Sequence, residues 1–237
     1  FGFQVPVEGG GSTWSVNSRE NQLTPLSNDP VTDRCGEAFY LRDDETGDLW
    51  TPTALPIRNE AGTYVARHGR GFSQFEHAEH GIESVLLQFV PLDDPIKISR
   101  LTLRNTSSRM RRLSVTGYVE WVLGPSRTAT SVFVTTELDA ETSALFARNP
   151  WRSALPARVA FADFGGRQTD WTGDRRGFIG RNGTLANPLA LATAAPLSRS
   201  VGAGLDPCGA LSTSVSIRPN GTAELIFLLG EAANIDE

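Results

Sequence analysis

Two stretches decide the fold: Ile96–Asn105, IKISRLTLRN, and Arg112–Leu123, RLSVTGYVEWVL. In both, apolar side chains recur at about every second position, a pattern typical of half-buried β-strands. A short polar connection, Thr106–Met110, joins them. Two long β-prone stretches linked in this way predict an antiparallel hairpin.

Similar strand-like stretches occur along most of the chain. They are Phe39–Arg42, Leu49–Pro52, Tyr64–His68, Gly71–Glu76, Gly81–Val90, Ala210–Ile217 and Thr222–Leu229. The polar, glycine-bearing segment 43–48 predicts a hairpin loop between the first two. Pro219-Asn220-Gly221 predicts a hairpin between the last two, because Asn and Gly tolerate the positive φ that two-residue turns require.

Helical periodicity is nearly absent from the sequence. Asp139–Arg148 permits two interpretations, a short helix capped by Asp139 or an irregular connection between strands. Gly165–Pro188 predicts a long surface loop anchored by Trp171 and Phe178. Ten or more strands without crossover helices predict an all-β fold, a large antiparallel β-sandwich.

Composition excludes several classes of protein. The chain has 237 residues, of which 39% are hydrophobic and 21% charged, too much apolar content for a disordered protein. Its longest apolar runs are strand-sized, so no membrane span is expected. The net charge of −5 argues against a nucleic-acid partner. Lys97 is the only lysine, and the many arginines reflect either compositional bias or contacts with sugar hydroxyls, carboxylates or phosphate.

The two cysteines, Cys35 and Cys208, are far apart and match no metal or redox spacing. We therefore expect buried free thiols in a reducing compartment, with no metal and no cofactor. No secretory signal begins the sequence, which starts at Phe1 without a methionine, so we expect a piece of a longer protein.

The segment Thr13–Pro30 holds the candidate carbohydrate contacts. It combines an aromatic face with planar donors and acceptors that suit sugar hydroxyls. The candidates are Trp14, Asn17, Arg19, Glu20 and Asn21, with Gln22 and Asn28 nearby. The same composition also suits a subunit interface, or a loop that satisfies its own backbone while Trp14 closes the end of the sandwich.

A second candidate is the histidine-rich stretch Glu76–His80, EHAEH. A histidine paired with a glutamate can move protons between a sugar hydroxyl and the ring oxygen, so His77, His80 and Glu76 form an alternative acid/base set. Its position between two strands favours a solvated polar hairpin tip over a metal or catalytic site.

The carboxylates form no convincing glycosidase pair. Asp43 and Asp44, Asp93 and Asp94, and Glu137 and Asp139 all lie in or beside predicted turns, where Asp caps backbone N–H groups. None of these pairs stands out as a catalytic pair.

Several long blocks, in order, carry a family resemblance. They are Thr13–Pro30, Gly36–Trp50, Asp94–Asn105, Arg111–Arg127, Phe161–Gly183 and Gly204–Leu211. These resemble the start of the cellobiose-phosphorylase-like portion (glycosyltransferase 36, glycoside hydrolase family 94) of cyclic β-1,2-glucan synthases. The resemblance implies a galactose-mutarotase-like supersandwich over residues 1–230, and a linker starting at 231–237 that leads to an (α/α)6 barrel.

The resemblance also implies a division of labour. The barrel of such enzymes supplies the general acid for inverting phosphorolysis, so the present chain is expected to be non-catalytic, whereas its parent is a glycosyltransferase or inverting phosphorylase. Implied partners are β-1,2-glucan or another glucose oligosaccharide, the barrel and a second copy of the chain. The implied location is the cytoplasmic side of an inner-membrane enzyme. Alternatives are a purely structural or dimer-forming module, and a stand-alone mutarotase-like epimerase.

Overall fold

The computed structural model describes residues 1–27, 35–152 and 154–235. These residues form fifteen strands, two short helices and one 3₁₀ turn at Leu189–Leu191. The strands are β1 (Gly2–Gln4), β2 (Ser12–Trp14), β3 (Glu37–Asp43), β4 (Leu49–Trp50), β5 (Tyr64–Gly69), β6 (Phe72–Glu79), β7 (Ile82–Phe89), β8 (Ile96–Asn105), β9 (Arg111–Glu120), β10 (Thr135–Leu138), β11 (Leu145–Arg148), β12 (Val159–Asp163), β13 (Asp170–Asp174), β14 (Pro207–Ile217) and β15 (Thr222–Ala232). The helices are α1 (Arg127–Thr130) and α2 (Arg175–Ile179).

The strands form two stacked antiparallel sheets and a small two-stranded one. The large sheet has the order β10-β11-β12-β15-β8-β7-β6-β5, and the five-stranded sheet has the order β13-β14-β9-β3-β4. β1 pairs with β2 in the two-stranded sheet. The predicted all-β sandwich is therefore confirmed. Within the described residues, no helix is long and apolar enough to cross a membrane.

Two strand pairs that were predicted to form hairpins, β8 with β9 and β14 with β15, do not pair with each other. β8 pairs with β7 and β15 in the large sheet, whereas β9 pairs with β3 and β14 in the five-stranded sheet. The connections Thr106–Met110 and Arg218–Gly221 therefore cross from one sheet to the other. The alternating pattern reports a buried face but not the partner, and a short polar loop can span stacked sheets about 10 Å apart.

The Asn105 side chain joins these two crossovers. Its amide Nδ2 donates to the carbonyl oxygens of Arg109 (2.8 Å) and Ile217 (3.0 Å). The predicted two-residue hairpin turn at Asn220-Gly221 is wrong, because only Asn220 has positive φ (57°) and Gly221 N–H donates to Arg218 O. Pro219 and Asn220 thus form the centre of a turn that redirects the chain between sheets.

Other hairpins follow the sequence prediction. β3 pairs with β4 across segment 44–48, and β5 pairs with β6. β6 and β7 are joined by a two-residue turn in which His80 and Gly81 both have positive φ, 50° and 75°. The hairpin tip expected in this stretch is therefore His80-Gly81, and His77 lies within strand β6.

Two irregular regions are defined by the structure. Of the two interpretations of Asp139–Arg148, the helix is wrong and a connection between strands is found at its start, because Asp139 Oδ2 accepts from Thr142 N–H (2.7 Å) in a turn that leads into strand β11. Gly165–Pro188 is not simply a surface loop, since it contains β13 and α2. Phe178 on α2 is fully buried and stacks on Tyr118, with ring centroids 5.1 Å apart.

The main core fills the space between the two sheets. It includes Trp50, Trp121 and Phe227, and Gly117 leaves room for Phe227 because a Cβ there would lie 2.6 Å from the Phe227 ring. A smaller core covers the outer face of the five-stranded sheet, where α2 and Leu191–Leu197 pack on Tyr40 and other buried residues. Cys208 belongs to this core as predicted, and burial raises the pKa of its thiol. Cys35 is half-buried, contrary to the expectation.

Two ion pairs are buried inside the sandwich. Lys97 on β8 donates to Glu37 Oε2 on β3 (2.6 Å), and the Thr13 and Thr24 hydroxyls donate to Glu37 Oε1. Burial alone would raise the pKa of Glu37, but Lys97 and these hydrogen bonds leave it below its ordinary value. The second pair joins Asp43, the last residue of β3, to Arg111, the first residue of β9.

Candidate functional site

The turn at residues 17–21 shapes the candidate carbohydrate segment. Asn17 Oδ1 accepts from the N–H groups of Arg19 (2.9 Å) and Glu20 (3.0 Å), and Asn21 N–H donates to Asn17 O (2.9 Å). The oxygen of Asn17 therefore stabilises the turn. Arg19 and Glu20 project from it with exposed side chains.

Trp14 is not an open platform for a sugar ring. It lies on β2 and pairs with Gly2 on β1, and a Cβ at Gly2 would lie 2.7 Å from its Cζ2 atom. The N-terminal strand thus covers part of the indole, which is half-buried. Gln22 forms isolated backbone β-bridges with both Trp14 and Gly124, which attach the segment to the sandwich. Asn28 lies outside the described residues.

Asn21 is fully buried in a charged network instead of facing solvent. Its Nδ2 donates to both oxygens of Glu231, at 2.9 and 3.1 Å, and its Oδ1 accepts from Arg152. Arg158 Nε donates to Glu231 at 2.6 Å, and Arg152 also donates to Glu20 O at 2.8 Å. This network holds the 17–21 turn against the end of the sandwich, so Asn21 is a positioning residue.

The network places an aromatic residue beside the turn that sequence analysis did not single out. Trp151 precedes Arg152, is 75% exposed, and packs on Phe133 with ring centroids 5.2 Å apart. Val132, next to Phe133, is 73% exposed. Arg19, Glu20, Val132, Phe133 and Trp151 are called here the Trp151 surface. Its only signal in the sequence is a tryptophan in the loop Asn149–Arg152, outside any alternating strand pattern.

The alternative acid/base residues are not arranged for catalysis. His77 has a fully buried side chain, with Nδ1 3.0 Å from Thr63 O and Nε2 2.9 Å from Glu79 Oε2, and its ring stacks on Tyr64. The preferred interpretation as a solvated polar turn is therefore wrong for His77. Glu76 lies on the opposite face of β6, where it contacts Arg67.

His80 and Glu76 are both accessible to solvent, and the Glu76 side chain is 35% exposed. His80 lies at the hairpin tip. Its side chain is 38% exposed and lies against Trp50, with ring nitrogens 3.6 Å from Asp48 and Glu79. His77, His80 and Glu76 therefore do not converge on one cleft.

The buried carboxylates are neutralised by basic partners. Glu120 contacts Arg127 and Arg175, each at 2.8 Å, and Glu231 contacts Arg158. In the part of the chain that the structure describes, no group of three or more His, Cys, Asp or Glu residues is arranged to hold a metal ion. What the described residues offer here is an exposed aromatic pair, Phe133 and Trp151, next to Arg152, which contacts the turn that carries the exposed Arg19 and Glu20.

Comparisons with known proteins identify close relatives of this sequence. A family model described as "Glycosyl hydrolase 94, supersandwich domain" matches residues 1–237. Cyclic beta-(1,2)-glucan synthase NdvB of Rhizobium meliloti (strain 1021) is 40% identical over 237 residues, which are 100% of this chain and 8% of that protein. Solabiose phosphorylase of Paenibacillus borealis is 30% identical over 197 residues, 82% of this chain and 26% of that protein.

A solved structure shares the fold. A bacterial glucoamylase, determined in complex with acarbose, has a TM-score of 0.56 at 7% identity, covering 92% of this chain and 28% of that one. The chain thus spans only about a quarter or less of the length of each of these proteins.

Proposed function

The chain belongs to the glycosyl hydrolase 94 supersandwich family, and from this we propose that it is a non-catalytic, carbohydrate-associated module of a cyclic β-1,2-glucan synthase or phosphorylase-type enzyme. In this proposal the module supports a catalytic (α/α)6 barrel of the same polypeptide and contacts glucan. The linker to that barrel begins after β15, which ends at Ala232 and so extends two residues past the boundary expected from the sequence. The module lies on the cytoplasmic side of an inner-membrane enzyme.

The observation that carries the glucan contact is the Trp151 surface. A tryptophan that is 75% exposed and held by a neighbouring aromatic ring offers a flat apolar face to the C–H groups of a pyranose. Arg19 and Glu20, held beside it through Arg152, offer planar groups to the hydroxyls. The names of the relatives support the substrate class, since one is a β-1,2-glucan synthase and another a disaccharide phosphorylase.

The experiment is a titration of the isotopically labelled domain with β-1,2-linked glucose oligosaccharides, followed by NMR. We expect a saturable shift of the Trp151 indole signal, and a loss of affinity of about tenfold in Trp151→Ala, the equivalent of one buried aromatic contact. Leu92→Ala is the matched control, because Leu92 is fully exposed and lies outside this surface.

The same exposed apolar residues also favour the alternative of a docking or dimer-forming surface. Contiguous exposed apolar groups often mark protein interfaces. An unmoved Trp151 signal, together with a concentration-dependent dimer in sedimentation that Trp151→Ala abolishes, would replace the glucan contact with this alternative.

The mutarotase-like alternative has weaker support, because both ring nitrogens of His77 are occupied within the chain. Polarimetry on fresh α-glucose tests it. We expect only the uncatalysed rate, unchanged in His77→Ala and His80→Ala.

A further inference from the structure

A pocket lies on the outer face of the five-stranded sheet, beside the smaller core. Its volume is about 260 Å³. Arg42, Ser114 and Ser214 stand in one row across β3, β9 and β14, since Arg42 pairs with Ser114 and Ser114 with Ser214. The covering segment 190–199 forms the opposite wall. This is called here the Arg42 pocket.

Arg42 is an unusual wall residue because two of its three guanidinium nitrogens have no hydrogen-bond partner in the part of the chain that the structure describes. Its side chain is 11% exposed, and its Nε and Nη1 atoms are sheltered from solvent without a hydrogen-bond partner among the described residues. The nearest acid group is Asp44, with Oδ1 at 3.6 Å from Nη1. Sheltered N–H groups of a cation without acceptors are costly. The side chain therefore gains free energy if it turns toward the pocket and meets the acceptor oxygens of a ligand.

The charges around the pocket are balanced. Arg42 faces Asp44, and Arg199 Nε donates to Asp170 Oδ1 at 2.9 Å. Each cation therefore has a carboxylate beside it, which favours a neutral ligand over an anion. The Ser214 hydroxyl adds a group that can both donate and accept. The Ser114 hydroxyl already donates to Asp44, and Ser212 Oγ is hydrogen-bonded to Thr116, so these two add mainly acceptor oxygens.

The two walls differ in polarity. The serines and Arg42 form a polar wall, whereas the covering segment contributes apolar side chains, among them Leu191, Pro196 and Leu197. A pyranose ring has the same asymmetry, with hydroxyls at its edge and C–H groups on its faces. Pockets that combine an apolar wall with a few converging polar groups are typical of small-molecule sites, and this volume suits one sugar ring.

We propose that the Arg42 pocket binds one neutral pyranose unit, as a non-catalytic subsite separate from the Trp151 surface. The choice of a glucose unit rests on the proposed function, whereas the polar and apolar walls support any neutral pyranose. Leu123, which links to Trp151 through Asn149, is nine residues along the chain from Ser114. The two sites therefore lie toward opposite ends of β9.

The test is an NMR titration of the whole labelled domain with sophorose, the β-1,2-linked glucose disaccharide, and separately with inorganic phosphate. We expect saturable shifts of the backbone amides of Ser114, Ser212 and Ser214 with sophorose. Arg42→Gln and Ser214→Leu should each weaken the affinity for sophorose, measured from these shifts, by about tenfold. This is the effect of losing one hydrogen bond to a charged group or of filling the space.

Each variant has a matched control on the same face of the same sheet. Arg112→Gln removes an exposed arginine of β9, and Ser216→Leu enlarges the next outward residue of β14. Neither residue lines the pocket, so both controls should leave the shifts intact.

The outcomes separate the two proposals. Shifts at Trp151 without shifts at the serines would overturn the pocket and leave the proposed function in place. Shifts at the serines without a shift at Trp151 would support the pocket and overturn the proposed glucan contact at the Trp151 surface. Binding of phosphate instead of sophorose, or equal effects in the control variants, would also overturn the inference.

Discussion

Arg111 and Arg42 lie on neighbouring strands at the same end of the five-stranded sheet, on opposite faces. Arg111 points inward, is 2% exposed, and donates through Nε to Asp43 Oδ2 at 2.8 Å and through Nη1 to His80 O. Arg42 points outward, has a side chain that is 11% exposed, and has two nitrogens, Nε and Nη1, without a hydrogen-bond partner in the described part of the chain. Burial alone therefore does not distinguish a structural arginine from one available to a ligand.

The difference lies in the acceptors. Asp43 is saturated, since its Oδ1 accepts from the N–H groups of Glu45 and Thr46 and its Oδ2 from Arg109 and Arg111. Asp44 instead accepts from the Ser114 hydroxyl at 2.7 Å and stays 3.6 Å from Arg42. Inside the sandwich Asp43 and Arg111 are hydrogen-bonded to each other, whereas on the outer face two nitrogens of Arg42 have no hydrogen-bond partner among the described residues.

The largest expected effect comes from breaking the inner pair. Asp43→Asn leaves Arg111 buried without a counter-charge and should lower the free energy of unfolding by about 3–5 kcal/mol. Asp44→Asn, the control on the outer side, should cost less than about 1 kcal/mol. Urea unfolding of both variants measures the difference, and equal losses would remove the distinction between the two faces.

An intermediate effect is expected from acid. Burial would raise the pKa of Asp43, but the backbone N–H groups of Glu45 and Thr46 and the Arg111 guanidinium leave it below its ordinary value. The pKa of Glu37 is lowered as well. Groups with a lowered folded-state pKa contribute their full stability above the unfolded value of about 4, and that stability is lost as the pH falls through the folded pKa.

Unfolding midpoints measured from neutral to acid pH test this. We expect the wild-type unfolding midpoint to decrease once the pH drops below about 4. This decrease with pH should be less steep in Glu37→Gln, because residue 37 no longer titrates in that variant. An identical slope in both proteins would show that Glu37 is not linked to acid unfolding.

The smallest expected effect is at the outer arginine. Arg42→Gln removes a cation whose N–H groups lack acceptors, so we expect stability to change by less than about 1 kcal/mol, in either direction. In a domain of this size that corresponds to a shift of about 2–4 °C or less in Tm. A loss comparable to that of Asp43→Asn would mean that Arg42 is structural, which would also argue against the pocket.

The sequence predicted the strands better than their partners. Alternation identified β8, β9, β14 and β15, because it reports which face of a strand is buried. It could not assign β8 and β9 to different sheets, since either arrangement buries the same side chains. Phe178 was mistaken for a loop anchor, because the short helix that carries it is stabilised by packing on Tyr118 and not by its own periodicity.

The candidate site was predictable only in part. Arg19 and Glu20 are exposed as a contact residue must be, whereas Asn21 is buried against Glu231, 210 residues away in sequence. Arg42 and Arg112 look alike in the sequence, and only the pocket on one of them distinguishes their roles. Trp151 was missed because its partner Phe133 lies in a separate loop.

The burial of Lys97 has a practical consequence. Since Lys97 is the only lysine and is 1% exposed, the folded domain hides its single side-chain amine from acylating reagents. The amine becomes reactive when the sandwich opens, so the rate of lysine acylation, read by mass spectrometry of one peptide, reports directly on opening of the two sheets. Lys97 is thus a single-site chemical probe of unfolding that the natural sequence already contains.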